Sequence, residues 1–491
     1  VRVKLAGFNI DADVLRQLDP AGRRHLTPET LSAAYARISR SPLAIDRLRK
    51  KACQDVEKAR ISNQRIIFEM GHHSVAEHAV FNFDIMGVSR LALEEIERFR
   101  LVSYTEKSQR YVTLEGDWVC PREIRDAALK RIFRSTVQRQ SRFYFKAYEK
   151  LRRRLLRRHR ETARSASGLR LVEGWAKEDA RYILPLATRG QVGMTINARN
   201  LEHLFRRLRL SPRQEVRELA ARLHSLVLPI APSIILFPEP SAFDREAFAA
   251  VDQCFAGSPE PAPPAGPAPE IVSMTESGDD VILASHLCVS RQIDFSRALA
   301  LVEAKAAGEK EALFRDFFRK IQFFDAMPRE FEMAEITFQA VVSASNFAQL
   351  KRHRMATLLW GGYLPELGNT LPASIREAGL EDEFLGIIEA ANRSYRRIRE
   401  GHGAAADYIL TNSHRRLVLM KMNLREMYHF IRLRDDEHAQ WDIRELARSL
   451  AERVRASMPL SAMMLCGKSR FAEEYGKRYA GDAAGGPLQE I

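Results

Sequence analysis

No stretch of this 491-residue sequence reaches the roughly 18 uncharged apolar residues that a membrane-spanning helix needs, which excludes that kind of membrane role. Residues 1–10 carry no apolar core of the length found in a secretory leader. Cysteine is scarce: Cys53, Cys120, Cys254, Cys288 and Cys466 are scattered, odd in number and without metal-ligand spacing. They read as reduced thiols of a cytoplasmic protein rather than as a disulfide framework. Proline and glycine crowd together in one place only, SPEPAPPAGPAPE at 258–270, where no apolar period survives. That segment reads as a semi-rigid linker. Acidic charge falls short of basic, 63 residues against 77, for a net charge of +14. The excess calls for an anionic environment: nucleic acid, an acidic surface, or phosphorylated and carboxylated small molecules.

What is present is an ordinary globular composition, 45% hydrophobic and 29% charged, in a chain long enough for two to four domains. The linker divides it near its middle. We expect a first domain at 1–250, a linker at 251–270 and a second domain at 271–491. Both sides run through the same order of elements. A strand-like stretch at 79–85 leads into a helical stretch at 89–98, and 334–341 leads into 345–352. Phe83 stands fifteen residues before Arg98, and Phe338 fourteen before Arg352. Both helical stretches end in an Arg-aromatic-Arg triplet, Arg98-Phe99-Arg100 and Arg352-His353-Arg354. Long helical patterns follow at 125–158 and 381–399, and an Asn-x-Arg opens an amphipathic helix at Asn197 and again at Asn423. This is an internal repeat with drifting spacing, not a solenoid.

The densest chemistry lies between Arg98 and Tyr111, where three arginines, two serines and a glutamate leave a helix for an extended segment. Arginine forks grip phosphate in a bidentate manner, and hydroxyl groups fill the remaining acceptors. By chemistry alone, the same run reads equally well as a solvated, salt-bridged helix end.

Taken together, these motifs resemble those of the flavin-dependent thymidylate synthases. The family signature Arg-His-Arg-x-x-Ser-x-Asn-Glu-x-Ser-x-Arg-Tyr is matched at Arg98, Arg100, Ser103, Glu106, Ser108, Arg110 and Tyr111, with Phe99 and Thr105 departing from it. The run from His73 through Glu77-His78 to Phe83, the run Ala180-Arg-Tyr-Ile-Leu-Pro185, and Asn197-Ala-Arg199 resemble three further family motifs in the same order. The second copy lacks the serine-glutamate loop and has Asp407-Tyr-Ile-Leu-Thr411 at the Leu-Pro motif. It keeps Gln349, Arg352, His353 and Arg354, then Asn423, Arg425, His429 and Arg434.

The resemblance implies an α+β fold in each copy, a mostly antiparallel sheet packed with helices. It implies reductive methylation of dUMP with FAD as cofactor and NADPH and methylenetetrahydrofolate as co-substrates. It makes Arg434 the catalytic group that stabilises charge on the pyrimidine ring. Gln349, Arg352, Glu106, Ser108, Arg110 and Arg181 would bind dUMP. Ser74, Glu106, Arg352, His353, Arg354, Asn423, Arg425 and His429 would bind FAD. Family sites lie between subunits of a homotetramer, so a homodimer of this chain would form a pseudo-tetramer with composite sites. No cysteine falls in these motifs, which fits chemistry without thiol attack.

Two other readings stand beside this one. The departures at Phe99, Thr105 and Glu95 fit a flavin- or nucleotide-binding pseudoenzyme. The basic run at 150–160 fits an RNA-binding protein, although it lacks interleaved aromatics and a solvated helix face is the plainer reading. His72, His73 and His78 lack the spacing of a metal site, so we expect no metal. Glu77 and His78 are expected to form a structural or cofactor-orienting pair.

Overall fold

The computed structural model describes residues 1–10, 27–38, 41–110, 117–258, 266 and 268–479. Tyr111 and most of the proline-rich linker lie outside them. The described chain is mixed helix and antiparallel sheet and divides into two compact units. None of its helices is long and apolar enough to cross a membrane.

The first unit comprises 1–261 together with 371–412. Its sheet is built from β1 (Arg2–Phe8), β2 (Val80–Ser89), β3 (Val102–Glu106) and β4 (Arg189–Asn197), in the order β1-β2-β4-β3. The second unit comprises 262–370 and 413–491. It contains β5 (Glu270–Met274), β6 (Glu335–Ser343), β7 (Thr357–Trp360), β8 (Leu364–Asn369) and β9 (His414–Asn423), in the order β5-β6-β9-β7, with β8 also on β9. The two orders match strand for strand. Thus β5 takes the place of β1, although nothing in its sequence announced the match.

The caps repeat as closely as the strands. Ser89 ends β2 in extended backbone and accepts from Ala92 N, and Ser343 ends β6 the same way and accepts from Asn346 N. Such caps satisfy amides that a helix start would leave unpaired. They set the helices at Arg90–Ile96 and Ala344–Leu350, shorter than the expected 89–98 and 345–352. Asn197 and Asn423 likewise cap the helices Ala198–Arg209 and Leu424–Arg434. The odd residue between Phe83 and Arg98 also has a cause. Gly87, at φ +71°, lies where the β2–β4 register shifts between Met86 and Val88. A glycine accepts that conformation without strain, and the extra residue bulges out of the ladder. Phe83 therefore opposes Met194 just as Phe338 opposes Met420, each three residues before its capping asparagine.

Both phenylalanines are fully buried in the core of their own unit. Burial of a side chain of this size stabilises by about 1.5–3 kcal/mol. The first unit's core is also built from distant chain. The helices Ala127–Arg158 and Glu381–His402 pack through Phe143 and Phe384, and Gln140 Nε2 donates to Ile409 O at 2.8 Å. The compact units therefore do not follow the expected linear division, because 371–412 folds with the first copy. There the two Leu-Pro motifs meet across a local two-fold. Leu186 N donates to Leu410 O at 2.7 Å, Asn412 N donates to Leu184 O at 2.9 Å, and Pro185 bridges Thr411. Each half makes the same bond to the other, as a two-fold contact requires.

Candidate functional site

In the second unit, the polar cluster begins where the Ala344–Leu350 helix stops. His353 is buried, its Nε2 accepts from Arg434 Nε at 2.9 Å, and Arg434 Nη2 donates to Gln349 O at 3.3 Å. Burial, reinforced by the charge of Arg434 and by His429, holds the His353 pKa well below its ordinary value, so the ring is neutral. Its acceptor role at Nε2 leaves the proton on Nδ1, which faces Glu426 Oε1 at 3.4 Å. Burial raises the pKa of Glu426. Three residues after the capping asparagine, Glu426 reads in sequence as half of a capping box. The structure turns it toward His353 instead. The Gln349 amide lies 3.4 Å from Gln440 Oε1, a partner that the sequence reading missed.

The neutral state of His353 has a measurable consequence. Below pH 6.5, the ordinary histidine value, the unfolded chain binds a proton that the folded ring refuses. This group's contribution is therefore present above that pH and is lost as the pH falls, by up to about 1.4 kcal/mol per pH unit. Urea unfolding at pH 7.5 and 5.5 should show the loss, and His353→Gln should reduce it; an unchanged difference would refute the assignment.

Next to this cluster, Asn423, Arg425, Glu426, His429, Arg432 and Met355 line part of a cavity of about 420 Å³. The His353 and His429 rings connect the two, with centroids 5.7 Å apart. Arg425 donates to Met327 O at 2.7 Å and pairs with Glu332 at 2.6 Å. Asn423 spends its side-chain oxygen on its own helix cap. Arg352 is half-buried and Arg354 exposed where the chain leaves the helix.

In the first unit, the Arg98–Arg110 run does become a helix end followed by a strand, β3. Beyond β3, Arg110 pairs with Glu178, and Ser108 Oγ accepts from Arg110 N at 3.1 Å. Arg181 lies on the turn after the Ala166–Ala180 helix and is 3% exposed. Its Nε and Nη2 make no hydrogen bond among the described residues. Burial lowers its pKa, and Arg90 and Arg110 add like charge nearby. Tyr182 and Glu178 offset part of that burial penalty, yet the two unsatisfied nitrogens of this buried guanidinium suit it to receive an anion. Asn412 Nδ2 supports the site from the distant segment, donating to Gln109 Oε1 at 3.0 Å and to Arg181 O at 2.9 Å. Neither Asn412 nor Glu178 stood out in sequence. Glu106 is half-buried at the end of β3, and Ser74 is exposed on the turn His73–His78.

The expected Glu77–His78 pair does not form. Glu77 pairs with Arg199, while the His78 ring packs edge-on against Tyr35 at 4.6 Å. Part of the basic run is neutralised locally, Arg152 by Glu173 at 2.8 Å and Arg154 by Glu377 at 3.3 Å.

The thymidylate synthase complementing protein family model matches 24–233 and again 270–460. A flavin-dependent thymidylate synthase of Geobacter sulfurreducens is 35% identical over 209 residues, covering 42% of this chain and 80% of its own. One of Clostridium tetani is 31% identical over 220 residues, covering 44% and 83%. The UPF0159 protein Ta1429 of Thermoplasma acidophilum is 25% identical over 447 residues, covering 81% and 86%, so its similarity extends across both copies. Among solved structures, a UMP/dUMP methylase PolB from Streptomyces cacaoi aligns with a TM-score of 0.32 at 18% identity, over 41% of this chain and 95% of its own.

Proposed function

The chain belongs to the flavin-dependent thymidylate synthase family, and from that membership and the geometry above we propose that it reductively methylates dUMP to dTMP. The co-substrates in this reading are methylenetetrahydrofolate and NADPH, and the cofactor is FAD. The observation that carries it is the setting of Arg434, a half-buried guanidinium oriented by a neutral histidine and a backbone carbonyl.

A preorganised cation of this kind stabilises negative charge as it develops on the pyrimidine N3–C4 edge. A protonated His353 would repel Arg434, so the depressed histidine pKa serves the arginine. Arg181, Arg110 and Ser108 grip the nucleotide phosphate and sugar. The burial of Arg181 strengthens its attraction for that anion, because little water screens it. Arg425 and Arg432 bring cationic groups suited to a cofactor's phosphates into the 420 Å³ cavity, beside the carboxylates of Asp325, Glu332 and Glu426, and the exposed Met355 adds an apolar wall. Arg425, His429 and Arg432, with Arg352, His353, Arg354, Asn423, Ser74 and Glu106, would hold FAD. When bound, FAD supplies the hydride that no side chain can provide.

Neither copy carries a full set. Counting from the caps, Leu208 stands in the first copy where Arg434 stands in the second, and Asp407 stands in the second where Arg181 stands in the first. We therefore infer that a working site draws on both copies, in a homodimer containing four of them. Expression in a thymidine auxotroph should restore growth, and purified protein should be yellow and oxidise NADPH only when dUMP is present. Yellow protein without dUMP-dependent oxidation would instead support the pseudoenzyme reading.

A further inference from the structure

The repeat predicts a second site of the same kind, centred on the first copy's helix end. The residues standing there are different, and their replacements are mutually consistent. Phe99 takes the position of His353 and Leu208 that of Arg434, each counted from its capping residue. The two belong to one apolar cluster, with Leu208 fully buried in the core and Phe99 packed against it. The polar pair has been replaced as a pair.

The neighbouring positions changed together as well. Glu95 stands where Gln349 does and Arg213 where Gln440 does, so an amide pair has become an ion pair with a separation of 2.7 Å. Arg213 also pairs with Asp407, the residue that stands where the first copy has Arg181. Burial opposes the charge on Arg213, but Asp407 and Glu95 outweigh it and hold the group firmly protonated. Arg399 Nη1 also lies 3.7 Å from Asp407 Oδ1. Tyr408 Oη donates to Glu215 Oε2 at 2.8 Å, and the same carboxylate accepts from Ser89 Oγ at 2.6 Å. The arginine at this position, Arg213, is thus already neutralised by two of the protein's own carboxylates. No cation remains at the Leu208 position to act on a ring.

We infer that this second, repeat-related site is filled by the protein itself, and that each chain carries one nucleotide and flavin site rather than two. The inference rests on the function proposed above. The Glu95–Arg213–Asp407 triad acts as an internal substitute for bound substrate, holding the emptied position closed.

The test counts bound ligands per chain in the full-length protein. FAD is measured by absorbance after release, and dUMP by calorimetry on the FAD-loaded protein. One equivalent of each per chain is expected. The variant R213A should lose roughly 5–10 °C of melting temperature, because it removes the cation that Glu95 and Asp407 share. Its FAD and dUMP equivalents should stay at one, with turnover per folded chain within about threefold of wild type. If R213A fails to fold, the uncharged triple variant E95Q/R213Q/D407N takes its place, with the same expected equivalents. Two equivalents of either ligand, or loss of dUMP binding on removing the triad, would overturn the inference and leave the functional reading intact. Absence of FAD binding from wild type would overturn both.

Discussion

Replacing Arg434 by alanine is expected to lower kcat for dTMP formation by about 10²–10³-fold while FAD stays bound. The expected size follows from the removal of one oriented donor whose work is done in the transition state. Arg434 Nε and Nη2 are already committed to His353 and to the Gln349 carbonyl, and these two bonds fix the plane of the guanidinium. Lysine should not rescue the variant, because a single ammonium cannot keep both bonds and still present a planar fork. His353→Phe, which places in the second copy what the first already has, should produce a smaller loss in the same direction. Single-turnover rates with FAD-loaded protein provide the measurement. A kcat for R434A within threefold of wild type would remove Arg434 from the mechanism.

Arg181→Met should behave differently, and the contrast is diagnostic. The specificity constant kcat/KM for dUMP is expected to fall roughly 30- to 1,000-fold, as when one partner of a buried charged pair is removed. Stability should hold or rise, because the substitution takes away a buried guanidinium with two nitrogens unsatisfied among the described residues. An arginine with only a structural role would give the opposite pair of results: lost stability and unchanged kinetics. Steady-state kinetics and thermal melting on the same preparations separate the two.

The contrast between these arginines indicates which parts of the molecule the sequence exposes. Arg110, Arg181 and Arg434 stood out in the sequence only through the resemblance of their motifs to those of the flavin-dependent thymidylate synthases. The strands around Phe83 and Phe338 and the two asparagine-capped helices were legible for a different reason: alternation and capping are local. The supporting residues were not. Glu426 looks like a helix cap, and Glu178 and Gln440 look like ordinary surface polar residues. Asn412 reaches Arg181 only because two distant motifs meet at Pro185 and Thr411. Tertiary pairing of that kind leaves no local trace. The Glu95–Arg213–Asp407 triad was hidden in the same way, its members separated by 118 and 194 positions. The spacing between Phe83 and Arg98 was visible as an oddity, but only the register around Gly87 explains it.

The placement of 371–412 in the first unit constrains how the protein can be made. When the ribosome has finished residue 261, the first copy's sheet is present, but the Ala127–Arg158 helix still lacks the partner that covers Phe143. About 150 more residues must emerge before Phe384 and Ile409 arrive, a wait of roughly 8–30 s at ordinary elongation rates. Throughout that interval the part of the helix that Phe384 and Ile409 cover stands open, longer than in a domain finished in sequence order. The same interleaving means that two separate genes, divided at the proline-rich segment, would each encode a fragment with an uncovered core. A fusion organised in this way is hard for evolution to reverse.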